Sequence, residues 1–222
     1  MNNFANVASF LSYCGFTFAL AQLSKWVVKE HHTKSRNFSL QNLFHIHCIL
    51  TVAALIFTIS NTYTTPFLYA YLLYATLIAL TIFTDLYAML IAPMFTIYCA
   101  PLAWTAAGLE YIPLTLTQSL TATLIALLVG RILYYLFFKL MQQEAIGAGD
   151  LDLLIFVAAW TGLEGFWLTL SLGSYLATMY GVGYWIIYRT KHFKLPFGTF
   201  LGIASLTSLA LPNLITPLKT AF

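Results

Sequence analysis

The stretch from Leu114 to Phe138 reads LTLTQSLTATLIALLVGRILYYLFF and contains a single charged residue, Arg131. A helix that crosses a membrane needs roughly 20 predominantly apolar residues. A membrane β-strand would alternate apolar and polar residues, whereas this stretch is apolar on all sides of a helix. The stretch therefore predicts a transmembrane helix.

The composition extends this prediction to the whole chain. Of 222 residues, 60% are hydrophobic and 8% are charged, with a net charge of +3. These values exclude an ordinary soluble domain, a disordered chain, a disulfide scaffold and a nucleic-acid-binding module. About eight apolar segments follow one another, near 4–24, 42–60, 66–84, 87–109, 113–138, 151–164, 167–188 and 196–215. We therefore expect an all-α, polytopic integral membrane protein in which residues 1–222 form a single transmembrane domain.

The basic residues predict the orientation. With eight spans, nine of them fall on one side of the membrane: Lys25, Lys29, Lys34, Arg36, Arg131, Lys139, Arg189, Lys191 and Lys194. Only Lys219 falls on the other side. The positive-inside rule makes the basic side cytoplasmic, with residues 25–41 as a short basic loop and both termini outside the cell membrane. The first residues lack the basic n-region of a signal peptide, so we expect the first span to be retained.

Two of the seven acidic residues stand out by position. Asp85 lies in an apolar stretch with no other charged residue within some 20 positions, and Asp150 opens the sixth span after Gly147-Ala-Gly149. An ionisable group in or beside a membrane span is costly, so it is a functional candidate by default. The third and fifth spans both run inward, and we expect Asp85 and Asp150 to meet at the cytoplasmic face.

Paired carboxyl groups have a known chemistry. When two of them hold one proton, one can take a proton from water while the other protonates a scissile carbonyl, which is aspartyl peptide-bond hydrolysis and needs no cofactor. Gly147 and Gly149 would allow a substrate backbone to approach closely. The same residues also fit a plain turn, because Asp is a favoured residue at helix starts.

Three blocks of the sequence resemble the type IV prepilin peptidases, membrane aspartyl proteases of the GxGD class. The first block is Thr84-Asp85-Leu86, followed by Ile91 and Pro93. The second runs from Glu144 to Leu154 and contains Gly147-Ala-Gly149-Asp150-Leu-Asp152. The third is Leu195-Pro196-Phe197-Gly198-Thr199-Phe200. The blocks occur in the family's order, and the resemblance covers residues from about 66 to about 215.

This resemblance implies cleavage of the basic leader from prepilins or pseudopilins at the cytoplasmic membrane face. The implied catalytic dyad is Asp85 and Asp150. Supporting or substrate-binding roles are implied for Gly147, Gly149, Glu144, Asp152, Pro196 and Gly198. The expected partners are the prepilin or pseudopilin and the lipid bilayer, and no nucleic acid is expected.

The chain departs from the family pattern at three places, one of which is Ala92, which separates Ile91 from Pro93 where the family usually joins the two residues. Bifunctional members have two Cys-x-x-Cys pairs after the first span, associated with zinc and with N-methylation of the product. Residues 25–41 contain no cysteine, which puts methyl transfer in doubt. His45 and His47 do not face one way on a helix, so no metal site is predicted there either. Asp152 stands where the family usually has Lys.

Two other functions fit the same residues. A proton-coupled carrier would use Asp85, Asp150 and Arg131 as a relay across the membrane. An inactive relative kept as a scaffold would explain the departures at Asp152 and in residues 25–41.

Overall fold

The computed structural model describes residues 65–141, 147–189 and 195–210. They form five α-helices, which we label α1 (Thr65–Ala88), α2 (Ala100–Gly108), α3 (Leu116–Met141), α4 (Ala148–Tyr188) and α5 (Phe197–Ala210). No strand occurs in these ranges, which confirms the all-α prediction for them. The predicted spans 4–24 and 42–60 and the basic loop 25–41 lie outside the described residues.

Three of the described helices are long and apolar enough to cross a membrane. By length and composition these are Tyr69–Leu86 within α1, Leu116–Leu140 within α3, and Ala148–Tyr188. Phe197–Leu209 of α5 is apolar but shorter. The prediction of membrane-spanning helices is confirmed for this part of the chain, and the total of about eight stays a prediction.

The segment 87–109 is not one continuous helix, so the prediction of a single helical span is wrong in this respect. Helix α1 continues to Ala88, and Met89 then adopts a left-handed conformation with φ of 51°. Two short 3-10 turns follow, Pro93–Phe95 and Ile97–Cys99, before the nine-residue α2. Proline has no N–H and disrupts a helix interior, so the segment breaks where Pro93 begins a new turn.

Helix α4 reverses direction at Gly162, where φ is 72° and ψ is −172°. Gly173 contacts Leu201, which lies three residues after Gly198, and Gly198 is beside Asp150 at the start of α4. A straight α4 would instead put Gly173 about 16 Å beyond Gly162, far from Asp150. The predicted spans 151–164 and 167–188 therefore correspond to the two halves of α4, but the turn is the single residue Gly162 rather than 163–165.

The core joins α1, α4 and α5. The Tyr74 ring stacks on Phe156 and packs against Trp160, with centroid separations of 5.5 Å in both pairs. The Tyr74 hydroxyl also shares a buried hydrogen bond with Ser205 of α5. In a membrane, helices associate through close packing and hydrogen bonds rather than through the hydrophobic effect. These contacts fix α1 antiparallel to α5 and bring the last turn of α1 to the start of α5.

Small residues let the helices approach closely. Gly202 of α5 packs against Ile82, and Gly130 of α3 packs against Leu151. Ser119, near the start of α3, donates a hydrogen bond of 2.6 Å to the carbonyl of Ala159. Small and hydroxyl residues at helix interfaces are typical of membrane proteins. The outer side of α3 instead exposes apolar side chains, including Leu124, Leu128 and Tyr135.

Candidate active site

Asp85 lies in the last turn of α1, and its carboxylate meets the first turn of α5. It is buried, with 5% of its surface exposed. Its Oδ2 accepts hydrogen bonds from the backbone N–H of Thr199, at 2.6 Å, and from the Thr199 hydroxyl, at 2.9 Å. The first N–H groups of a helix have no acceptor within the helix, and Asp85 supplies one from another helix.

Asp150 lies in the first turn of its own helix, α4. The backbone N–H of Gly147 donates to Asp150 Oδ2 at 3.1 Å, and the Asp150 N–H donates to the Gly147 carbonyl, also at 3.1 Å. This reciprocal pair is the helix-start arrangement that the sequence left open as an alternative. Asp150 is half-buried, and its other oxygen, Oδ1, lies beside Gly198 of α5.

Gly198 lies next to both carboxyl groups. A Cβ atom built on Gly198 would lie 3.2 Å from Asp150 Oδ1 and 3.2 Å from Asp85 Cγ. These two atoms are therefore no farther apart than twice that distance. The structure thus brings Asp85, Asp150 and Gly198 together, as the sequence-based pairing of the two aspartates requires.

Ile91 closes one side of this arrangement. After the left-handed Met89, the chain returns so that Ile91 packs on both glycines next to the aspartates. A Cβ on Gly149 would lie 2.7 Å from Ile91 Cβ and 3.3 Å from the Ile91 carbonyl oxygen. A Cβ on Gly198 would collide with Ile91 Cδ1. Ile91 thus occupies the open side of Gly149, where the sequence predicted a substrate backbone.

The remaining predicted residues have different placements. Gly147 is exposed next to Asp150, and Pro196 is half-buried directly before α5. Asp152 is half-buried, and the charge of Arg131 on α3 acts on it. Glu144 lies outside the described residues.

Thr199 is the residue that the sequence analysis did not single out. It was quoted only as part of the third block, and nothing in the local sequence pairs it with Asp85. The available signal is a buried hydroxyl residue in the first turn of an apolar helix, two residues after Phe197. A polar side chain at that place needs a partner, because buried polar groups are hydrogen-bonded in folded proteins.

Cys99, near the site in sequence, is a packing residue. Its thiol donates to the carbonyl of Met94 at 3.1 Å, and burial raises the pKa of the thiol. A raised pKa keeps the group as a neutral thiol, which is a poor nucleophile.

Two close carboxyl groups, one buried and one half-buried, can share a proton and act together as acid and base. The fold and the site thus define a helical membrane protein with a dicarboxyl site at its helix ends. Residues 71–182 match the type IV leader peptidase family, and the chain belongs to that family. It is an integral membrane protein.

Curated relatives agree with this assignment. A prepilin leader peptidase/N-methyltransferase of Aeromonas salmonicida (strain A449) is 33% identical over 153 residues, which is 66% of this chain and 50% of the relative. A protein of the same name from Aeromonas hydrophila is 35% identical over 153 residues, which is again 66% of this chain and 50% of the relative. The chain therefore spans about half the length of these relatives. No solved structure gives a significant match.

Proposed function

We propose that this protein is a membrane aspartyl endopeptidase that removes the basic leader peptide from type IV prepilins or pseudopilins. The observation that supports this most directly is that the carboxyl groups of Asp85 and Asp150 both lie next to Gly198. Membership of the leader peptidase family supplies the reaction class. In this proposal the peptidase unit covers residues from about 66 to about 215 of a single transmembrane domain.

The chemistry requires one proton on the pair. One carboxylate takes a proton from a water molecule as the water oxygen attacks the scissile carbonyl carbon. The other carboxyl group gives its proton to the carbonyl oxygen. The intermediate then collapses, the C–N bond breaks, and the leaving amine takes the proton that came from water. The hydroxyl proton of the intermediate returns to the second carboxylate, which restores the pair.

The charge distribution supports a cytoplasmic active site. Among the described residues the basic side chains are Arg131, Lys139 and Arg189, at the inner part and end of α3 and the end of α4. The contact between Gly130 and Leu151 and the reversal at Gly162 direct these helix ends toward the same side of the fold as Asp150. By the positive-inside rule this end faces the cytoplasm of a cell membrane, with both termini outside.

The residues around the pair would receive the substrate. Gly147 is exposed beside Asp150, so a substrate backbone can approach there. Asp152 and Glu144 would hold the basic leader through their charges. Gly149, Gly198 and Pro196 would support the site, because they let Ile91 and the start of α5 pack against the two aspartates.

Cleavage of a prepilin in membranes tests this function. Co-expression of the protein with a candidate prepilin should shorten the prepilin by its leader, read by the mass of the new amino terminus. The same mass shows whether a methyl group is added. Glu164→Gln, at an exposed acid beyond the Gly162 turn, is the matched control and should cleave normally. An unprocessed prepilin, in membranes that contain the folded protein and with a substrate that another prepilin peptidase cuts, would refute the proposal.

A further inference from the structure

The two carboxyl groups of the site do not have equivalent partners. Oδ2 of Asp85 accepts two hydrogen bonds from Thr199, at 2.6 and 2.9 Å, whereas Oδ2 of Asp150 accepts one from Gly147 at 3.1 Å. The Thr199 hydroxyl has a second possible acceptor, the carbonyl of Ile82, but at 3.5 Å it is the weaker one. The hydroxyl therefore donates to Asp85.

This asymmetry favours the charged form of Asp85. Donors to a carboxylate stabilise the ionised form, and hydrogen bonds to a charged group are about twice as strong as neutral ones. Helix dipoles act on both groups, since each carboxyl group lies at the N-terminal turn of a helix, α5 for Asp85 and α4 for Asp150. Asp85 also lies in the last turn of α1, whose dipole opposes its charge, so the two hydrogen bonds from Thr199 are what favour its ionised form. Within the described ranges, Asp150 has no counterpart of the Thr199 hydroxyl.

Among the residues that the structure describes, the other groups that face Asp85 do not alter this result. Helix α5 contains no titratable residue, and the segment that returns to the site presents the aliphatic Ile91. The charged group that faces Asp85 from α4 is Asp150 itself. Since two adjacent carboxylates repel each other, a single proton resides on the one with fewer donors.

We propose that Thr199 is a positioning residue that holds Asp85 as the ionised general base and leaves the shared proton on Asp150. The inference rests on the proposed peptidase function. Oδ2 of Asp85 is occupied by Thr199, so Oδ1 takes the proton from the attacking water. Asp150 gives its proton to the scissile carbonyl oxygen. In the second step Asp85 protonates the leaving amine as the C–N bond breaks, and Asp150 regains its proton from the intermediate.

The test is the pH dependence of prepilin cleavage by Thr199 variants. Thr199→Val keeps the shape and the backbone N–H but removes the hydroxyl. We expect the acid limb of its kcat profile to move to higher pH, because the base is harder to ionise. At the acid end kcat should fall about tenfold, since a hydrogen bond to a charged group is lost. The alkaline limb, set by Asp150, should not move. KM should stay within about twofold, because in this proposal Thr199 acts through Asp85 and not on the substrate.

Two variants separate this role from a structural one. Thr199→Ser restores the hydroxyl and should restore the wild-type profile. Thr81→Val is the matched control, because Thr81 is also buried in the same region but its hydroxyl donates to the carbonyl of Leu77 in its own helix. Thr199→Ala, which cannot overpack the site, serves if the Val variant fails to fold.

The outcomes are distinct. Three results would overturn the assignment of the base: a wild-type pH profile in Thr199→Val, a shift of its alkaline limb instead of its acid limb, or no rescue by Thr199→Ser. If the wild-type protein still cleaves prepilin, the proposed peptidase function is unaffected by these results. A wild-type protein that leaves prepilin uncut would overturn the peptidase function, and the assignment with it.

Discussion

The carboxyl groups of Asp85 and Asp150 meet at Gly198, where Asp150 Oδ1 and Asp85 Cγ each lie 3.2 Å from the place that a side-chain Cβ would occupy. The nearest atom to that place is Ile91 Cδ1. The close approach of the two carboxyl groups thus requires a residue without a side chain at position 198, and it requires Ile91 to pack closely against that residue.

Gly198→Ala tests this dependence. The new methyl group would push on both carboxyl groups and on Ile91, and a misplacement of about 1 Å at a catalytic site can cost about 100-fold in rate. We expect cleavage to fall by about that factor at a normal membrane level. Gly181→Ala is the control, because nothing lies within 4 Å of that position, and it should cleave at the wild-type rate. Equal rates for the two variants would contradict the geometry.

A second substitution identifies which atom is in the way. Ile91→Val removes Cδ1, the atom that a methyl group on Gly198 would strike, so the Gly198→Ala, Ile91→Val protein should regain part of the lost rate. Gly149→Ala should gain nothing from Ile91→Val, because its methyl group would meet Ile91 Cβ and the backbone carbonyl, which valine retains. A double-mutant cycle measures both couplings. If Ile91→Val restored the rates of Gly198→Ala and Gly149→Ala equally, the packing of Ile91 against the two glycines described above would be wrong.

Tyr74 and Ser205 hold α1 against α5, and this contact is testable through stability. Tyr74→Phe leaves the buried Ser205 hydroxyl without its partner, which should cost about 1–3 kcal/mol. The double variant Tyr74→Phe, Ser205→Ala removes both polar groups and should recover most of that loss. Thermal unfolding in detergent measures all three proteins. A double variant as unstable as the single one would argue against the hydrogen bond.

The backbone conformation of Gly162 predicts that a substitution there destabilises the protein. Its φ of 72° and ψ of −172° lie in a region that is essentially restricted to glycine, and a Cβ would also lie 3.1 Å from Leu114 Cδ2. Gly162→Ala should therefore lower the free energy of unfolding by about 1–3 kcal/mol. The melting temperatures of Gly162→Ala, the control Gly181→Ala and the wild type, measured by thermal unfolding, check this. An unchanged melting temperature would mean that α4 does not reverse at Gly162.

Sequence reasoning reached the pairing of Asp85 and Asp150 because span counting and the basic residues put both at one membrane face. It missed the break within 87–109, because hydropathy does not register a left-handed Met89 or the effect of Pro93 in an apolar stretch. It placed the α4 turn within three residues, since only the backbone of Gly162 marks the reversal.

The partners of the aspartates were not predictable. The contacts of Thr199 with Asp85 and of Ile91 with Gly149 join residues that are 114 and 58 positions apart. Such contacts depend on helix packing, and no periodicity within one helix encodes them. The first block did name Ile91, but only as part of a resemblance and without a structural role.

The central claim is that Asp85 and Asp150 together hydrolyse the leader peptide bond. Its most direct test is the rate of prepilin cleavage by Asp85→Asn and Asp150→Asn in membranes with normal protein levels, beside wild type and Glu164→Gln. The account predicts that both aspartate variants lose cleavage while Glu164→Gln retains it, because an amide can neither accept nor supply the shared proton. Wild-type cleavage by either aspartate variant would contradict the account.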